Sequence, residues 1–315
     1  MLWVTWRQHR AELFAAAVLL VLIAAPLLWT GFAMHAEYRA DGVAGCVADP
    51  STRPGCEPLI QAFADRHAEW GRRLMWTAFL PALAGVFVGA PLLAREFEQG
   101  TWRLAFTQSV SRTRWTVTKL TLVGVTVAAM TATVAALLAW WRGPLDDIHG
   151  RLNATSFVIA GPSLTSAALF AFALGVLAGA LLRHTIVAMA ATLTGFLAVR
   201  LTLEEYVRPH YRPPLVRVTE PGAVDTPGTD WTVADGWVDR TGRLVPEHER
   251  VAVVRQLAGS GGSVDRYLLE HGLLHRTEYH PDSSFWPFQA IESGLFVTLA
   301  AVLLAAAVWL TRRRT

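Results

Sequence analysis

The 315-residue sequence has one lysine among its 28 basic residues, and only two cysteines. Both scarcities exclude chemistry. A phosphate loop of the GxxxxGK[ST] type needs a lysine to reach the terminal phosphates of a nucleotide. Lys119 sits in Thr116-Val117-Thr118-Lys119 with no glycine beside it, so the chain cannot hold ATP in that manner. Cys46 and Cys56 are too widely spaced for a Cys-x2-Cys metal knuckle and lack further ligands. HExxH and G-x-S-x-G are also missing. The ten histidines are scattered, with no pair at metal spacing in an apolar run. The expectation is a chain with no catalytic residues, no metal site and no cofactor of its own.

Charge is scarce in particular places. The apolar share, 53%, is close to the roughly 45–50% of soluble proteins, but its distribution is uneven. Six long apolar runs stand out, at 13–34, 74–94, 117–141, 157–182, 185–203 and 290–310. A bilayer span needs about 20 such residues, whereas soluble helices average about 12. A charge at mid-span costs roughly 2.5–3.5 kcal/mol, so the near-absence of charge within the runs is informative. The sequence predicts an all-α polytopic membrane protein with six transmembrane helices. The first run exceeds the 7–15 apolar residues of a signal peptide and is read as a retained span. None of the runs shows the buried ionisable residue of an ion-coupled transporter; Glu292 is nearest, at the end of the sixth.

What lies between the runs gives the organisation. In 1–12, Trp3, Trp6, Arg7 and Arg10 predict a short helix at headgroup level. The polar loop 35–73 holds both cysteines. A Cys46–Cys56 disulfide would remove roughly 3 kcal/mol of unfolded-chain entropy in the simple model and would place the loop outside the cytosol; two free thiols are the alternative. Gly85 with Gly89, and Gly175 with Gly179, form GxxxG spacings that let helices approach closely. Residues 142–156 read as a short loop in which Asp146 and Asp147 are solvated. Arg183 and His184 alone separate the fourth and fifth runs, which forces an antiparallel hairpin.

Residues 204–289 form the one sizeable soluble piece, expected as a small α+β lid. Its Pro-rich opening should be extended. The stretch 231–245 has two short β-favouring runs, with turn signals at Asp235-Gly236 and Thr241-Gly242. Residues 246–258 look helical, and Ser263 can cap a second helix reaching Leu274. The domain plan is therefore 1–203 for five spans, 204–289 for an extracytoplasmic lid, and 290–315 for the sixth span and basic tail.

Six spans leave both termini on one side. With the termini in the cytosol, the inner segments hold eleven cations: Arg7, Arg10, Arg95, Arg103, Arg112, Arg114, Lys119, Arg183 and three terminal arginines. The short outer loops hold seven: Arg39, Arg53, Arg66, Arg72, Arg73, Arg142 and Arg151. Basic residues favour the inside, and the lid and cysteine loop then fall outside together.

The connector 95–119 is the most unusual stretch. Glu96 and Glu98 follow the second run at a helix C-terminus, where carboxylates oppose the macrodipole. Something must offset that cost. Gly100-Thr101 can end one helix and begin another. Trp102 and Phe106 would share the apolar face of a short surface helix, and Ser111 can cap the third span.

These residues carry a family resemblance. Leu2–Glu12 (LWVTWRQHRAE), 96–101 (EFEQGT), 107–112 (TQSVSR) and 285–292 (FWPFQAIE) make the chain resemble a permease of the ABC-2 type, the membrane subunit of ATP-binding-cassette exporters. The resemblance implies a transport path built from this chain and a second permease copy or paralogue in a bacterial plasma membrane. It implies a separate ATPase subunit that holds ATP and magnesium, and no nucleic acid. It places Glu96, Glu98, Gly100, Thr101, Trp102 and Arg112 in a coupling segment against that ATPase. The long lid departs from the shorter members of the family. A membrane enzyme using Asp146 and Asp147, or a ligand sensor using the lid, are the alternatives.

Overall fold

The computed structural model describes residues 2–49, 55–99, 112–223 and 228–313. Among them are six helical stretches long and apolar enough to cross a membrane: Ala17–Ala40, Cys56–Glu98, Thr113–His149, Pro162–Leu182, Thr185–His210 and Asp282–Arg313. The six runs of the sequence are all present, and most extend further than their apolar letters.

The first helix, α1 (Leu2–Ala40), is unbroken. The expected headgroup-level segment with Trp3, Trp6, Arg7 and Arg10 is thus the leading part of the first span's own helix. Pro26 lies inside it. One turn on, Thr30 donates to the Pro26 carbonyl at 2.7 Å and accepts from the Trp141 indole at 2.9 Å, which ties the first span to the third.

Residues 35–73 are not a loop. The end of α1 runs to Ala40, and the described residues that follow form α2 (Val43–Ala48) and α3 (Cys56–Leu74). The disulfide joins Cys46 to Cys56, with Cα atoms 5.3 Å apart, and so closes a helical hairpin. The second span follows as a 3-10 turn (Met75–Phe79), α4 (Leu80–Leu83), a π turn (Ala84–Gly89) and α5 (Ala90–Glu98).

The third span, α6 (Arg112–His149), runs through Pro144 and absorbs most of the stretch read as a loop. A short α7 (Ala154–Ile159) leads into α8 (Pro162–Leu182). The axis of the bundle is α8. In its apolar window 72% of residues are buried, against 17–44% in the other spans, so the remaining helices pack around it. Its alanines and glycines are why it can be surrounded. A Cβ on Gly85 would lie 2.6 Å from the Ala171 carbonyl oxygen, and one on Gly179 would lie 2.6 Å from that of Ala90. Gly175 meets the backbone of Gly85 and Ala90. The two GxxxG pairs are therefore partners, interlocked backbone to backbone.

Arg183 adopts a left-handed conformation (φ 55°) and turns the chain into α9 (Thr185–Thr202). This helix continues through a π turn (Leu203–Val207) and a 3-10 turn (Arg208–His210).

The lid is α+β, as expected, with a different internal layout. Strands β1 (Leu215–Thr219), β2 (Trp231–Asp239) and β3 (Leu273–His280) form an antiparallel sheet in the order β1-β3-β2. β2 passes straight through Asp235-Gly236; its irregularity is a bulge between Thr232 and Ala234. The Thr241-Gly242 turn is present, and Asp239 accepts hydrogen bonds from the Thr241 and Arg243 amides. Between β2 and β3 lie α10 (Glu247–Ser260) and α11 (Val264–His271). Gly272 ends α11 before Leu274, which belongs to β3. The last span, α12 (Phe285–Arg313), begins inside the stretch assigned to the lid.

Candidate functional site

Two clusters of charge sit at opposite ends of the bundle. At one end, α5 finishes on Glu96, Phe97 and Glu98. Glu96 forms an ion pair with Lys119 of α6, and the same ammonium donates to the Leu92 carbonyl at 3.2 Å. The only lysine of the chain thus neutralises one connector carboxylate and also binds the end of the helix that carries it. Lys119 lies 5.2 Å from the Trp115 ring centroid, within range of a cation–π contact.

Glu98 answers the second electrostatic cost. Its Oε2 accepts from the Thr185 backbone N–H at 3.1 Å and from the Thr185 hydroxyl at 2.7 Å, and His184 Nδ1 lies 3.8 Å from Oε1. The carboxylate is unfavourable at the C-terminus of α5 but caps the positive N-terminus of α9. Beside it, Arg183 covers the Phe97 ring at 5.5 Å. The end of α12 joins the same face, where Arg312 Nε donates to the Thr113 hydroxyl at 2.8 Å. Arg112 is the first residue of α6. Gly100, Thr101 and Trp102 lie outside the described residues.

The other end carries ionic contacts that sequence reading missed. Glu292 has a fully buried side chain. It accepts from Arg200 Nη1 at 2.8 Å and from Arg208 Nε and Nη2 at 2.9 and 3.2 Å. Tyr211 donates to it at 3.4 Å. Burial, followed by the Glu292 charge, pushes the Tyr211 hydroxyl pKa upward. Arg208 is 1% exposed and stacks over Phe157 at 4.4 Å. The expectation that no span carries a buried ionisable residue is therefore wrong. Arg200 lies inside the fifth run, and Glu292 is inside the bundle. A signal was present: Arg200, Glu204 and Arg208 recur every four residues, which places them on one face of a continuing helix.

Asp146 is corrected as well. It is buried, not solvated, because α6 continues to His149 and puts Arg142 one turn before it. Arg142 Nε donates to it at 3.1 Å and also reaches the Ser156 hydroxyl. A carboxylate committed in this way does not make a divalent-ion pair with Asp147. Asp147 is exposed and accepts from the Tyr38 hydroxyl at 3.1 Å. Arg151 holds Asp282 at the root of the last span, and that hydrogen bond raises the arginine's pKa.

Gln289 braces the same region. Its Oε1 accepts from the Ser163 amide at 2.9 Å, and its Nε2 donates to the Phe157 and Ala160 carbonyls at 2.9 and 3.1 Å. The break between α7 and α8 is thereby satisfied by the last span. The lid docks there through Trp231, His280 and Tyr211 against Phe288.

A family model described as ABC-2 membrane transporter related matches residues 17–208. That range covers five spans and both the connector and the disulfide hairpin; the lid's sheet and the last span lie beyond it. No curated protein and no solved structure matches the chain.

Proposed function

The chain belongs to the ABC-2 membrane transporter related family, and from that premise we propose that it is the permease subunit of an ATP-binding-cassette exporter, gripped at its connector by a separate ATPase. One observation carries the reading. Glu98, the last residue of α5, is hydrogen-bonded to the first residue of α9. A partner that moves the connector therefore pulls on the fifth span through a charge-assisted bond. Lys119 extends the same linkage to the third span through Glu96. ATP and magnesium belong to the partner, and a second permease copy or paralogue completes the path.

Sidedness follows the same logic. The connector, the Arg183 turn and the end of α12 share one end of the bundle. The disulfide hairpin and the lid share the other. Basic residues favour the first as cytosolic, and a disulfide favours the second as external.

Purification in mild detergent should bring down an ATPase subunit. Reversal of both connector charges (Glu96→Lys with Glu98→Lys) should lower the permease-stimulated ATPase rate several-fold while leaving membrane insertion unchanged. An unaltered rate in that variant counts against the coupling role. A cysteine placed by Gln99→Cys should react with an impermeant thiol reagent only after cells are opened. Labelling in intact cells overturns the orientation.

A further inference from the structure

We propose that the cavity between the disulfide hairpin, the end of α6, the lid and the root of the last span is a binding site for an amphiphilic organic cation. The cavity has a volume of about 780 Å³, within the roughly 300–1,000 Å³ range of small-molecule sites. Its wall is mostly small or apolar, including Ala44, Val47 and Ala139. Three aromatic rings, Tyr38, Phe285 and Trp286, also line it.

The charges decide the sign of the ligand. Three carboxylates line the cavity, Asp146, Asp147 and Asp282, with Arg151. Asp146 is neutralised by Arg142, and Asp282 by Arg151. Among the described residues, Asp147 has no arginine or lysine within ion-pair distance, and its one hydrogen bond comes from the neutral Tyr38 hydroxyl. Three carboxylates against Arg142 and Arg151 thus leave one net negative charge on an apolar, aromatic space. Phe285 is already covered by Arg151 at 5.0 Å. Trp286 is 59% exposed and offers an aromatic face to a cation. An anion would meet three carboxylates and one arginine, and that arginine is already committed to Asp282. A polar neutral ligand would find few free hydrogen-bonding groups. If the chain is the permease proposed above, this is where an exported compound gathers; the binding itself does not depend on that reading.

The test uses the purified full-length chain in lipid nanodiscs, without an ATPase. Tetraphenylphosphonium and tetraphenylborate have matched shape and opposite charge. Saturable binding of the cation but not the anion is expected. Asp147→Asn should weaken cation binding by about tenfold or more, as loss of a close charge pair does. Trp286→Ala changes an exposed side chain, so the chain should still fold; it should weaken binding several-fold. Equal binding of both ions overturns the proposal. So does unchanged cation affinity in either variant. If Asp147→Asn fails to fold, Trp286→Ala decides alone. Failure here leaves ATPase co-purification untouched, so the two readings are separable.

Discussion

The two ends of the bundle solve the same problem in opposite ways. Each must hold charged groups close to helix ends. At the connector end the carboxylates remain partly exposed: Glu98 keeps 41% of its side chain open, and Glu96 keeps 24%. Each has one principal partner, either a lysine or a helix terminus. The spans there approach through glycine, and shape does most of the holding. At the lid end, Glu292 is dry and bonded to two arginines, and Gln289 bridges a helix break. Solvated, single-partner contacts are weak and adjustable. Buried, multiply bonded ones are costly to break. One end is suited to being moved, the other to staying put.

The largest effect should come from attacking the fixed end. Glu292→Ala leaves Arg200 and Arg208 buried with only the longer contacts to Glu204, at 4.0 and 3.7 Å, at a cost of about 3–5 kcal/mol. A large fall in apparent Tm, followed by tryptophan fluorescence in a fixed detergent, is expected. A triple change of Arg200, Arg208 and Glu292 to methionine sharpens the point. If the cluster acts by locking and not by net stabilisation, the triple variant should recover most of the lost Tm. A single variant as stable as the parent would remove the contrast between the ends.

Much of this contrast was hidden in the sequence. The number of spans was legible because the six runs are long and uncharged. The tight Arg183-His184 hairpin and the cysteine pairing were legible because they are local. The lid end was not. Arg200 was lost in an apolar run, and Asp146 fell in the stretch 142–156 read as a loop, whose first half is the end of α6. Asp146 depends on how far α6 continues, which sets Arg142 one turn away, and Arg200 depends on Glu292, a partner more than 80 residues off. The sheet was half-visible for the same reason: β3, its central strand, pairs with β1 across the whole lid. At the connector, Glu96 and Glu98 stood out in the sequence as an electrostatic problem. Their partners, Lys119 and Thr185, again come from other helices.

Next in size is the disulfide, which ties down the outer hairpin. Reduction, or Cys46→Ser with Cys56→Ser, should cost about 3 kcal/mol from loop-closure entropy. The loss should appear as faster proteolysis of 41–60 before any loss of the bundle. If the hairpin is as resistant after reduction as before, packing of Val43 and Phe63 against the third span is holding it unaided.

The interlocked glycines test the adjustable end. Gly175→Ala adds one methyl group, 2.6 Å from the Ala90 nitrogen, and the second span must shift to accept it. Overpacking of this kind costs about 1–3 kcal/mol. Unlike the Glu292 change, it should also alter the crosslinking distance between the second and fourth spans. An unchanged distance would show that shape is not the constraint there.

The smallest effect belongs to the lid and depends on pH. Asp239 lies on the lid surface and accepts hydrogen bonds from the Thr241 hydroxyl, the Arg243 amide and the Thr241 amide. The Thr241 hydroxyl, then the Arg243 amide, pull its pKa below the ordinary 3.8. A depressed carboxylate contributes stability that is present above its unfolded pKa and is lost as pH falls through the folded value. Amide exchange in the 239–243 turn should therefore be slower in the parent than in Asp239→Asn at neutral pH. The difference should vanish only below about pH 4. The bundle root at Gln289 should not share this profile, because it is held by neutral amide hydrogen bonds to Phe157, Ala160 and Ser163. A parallel loss of protection in both places would mean that the lid and the bundle root open together, and that the fixed end is less fixed than its bonding indicates.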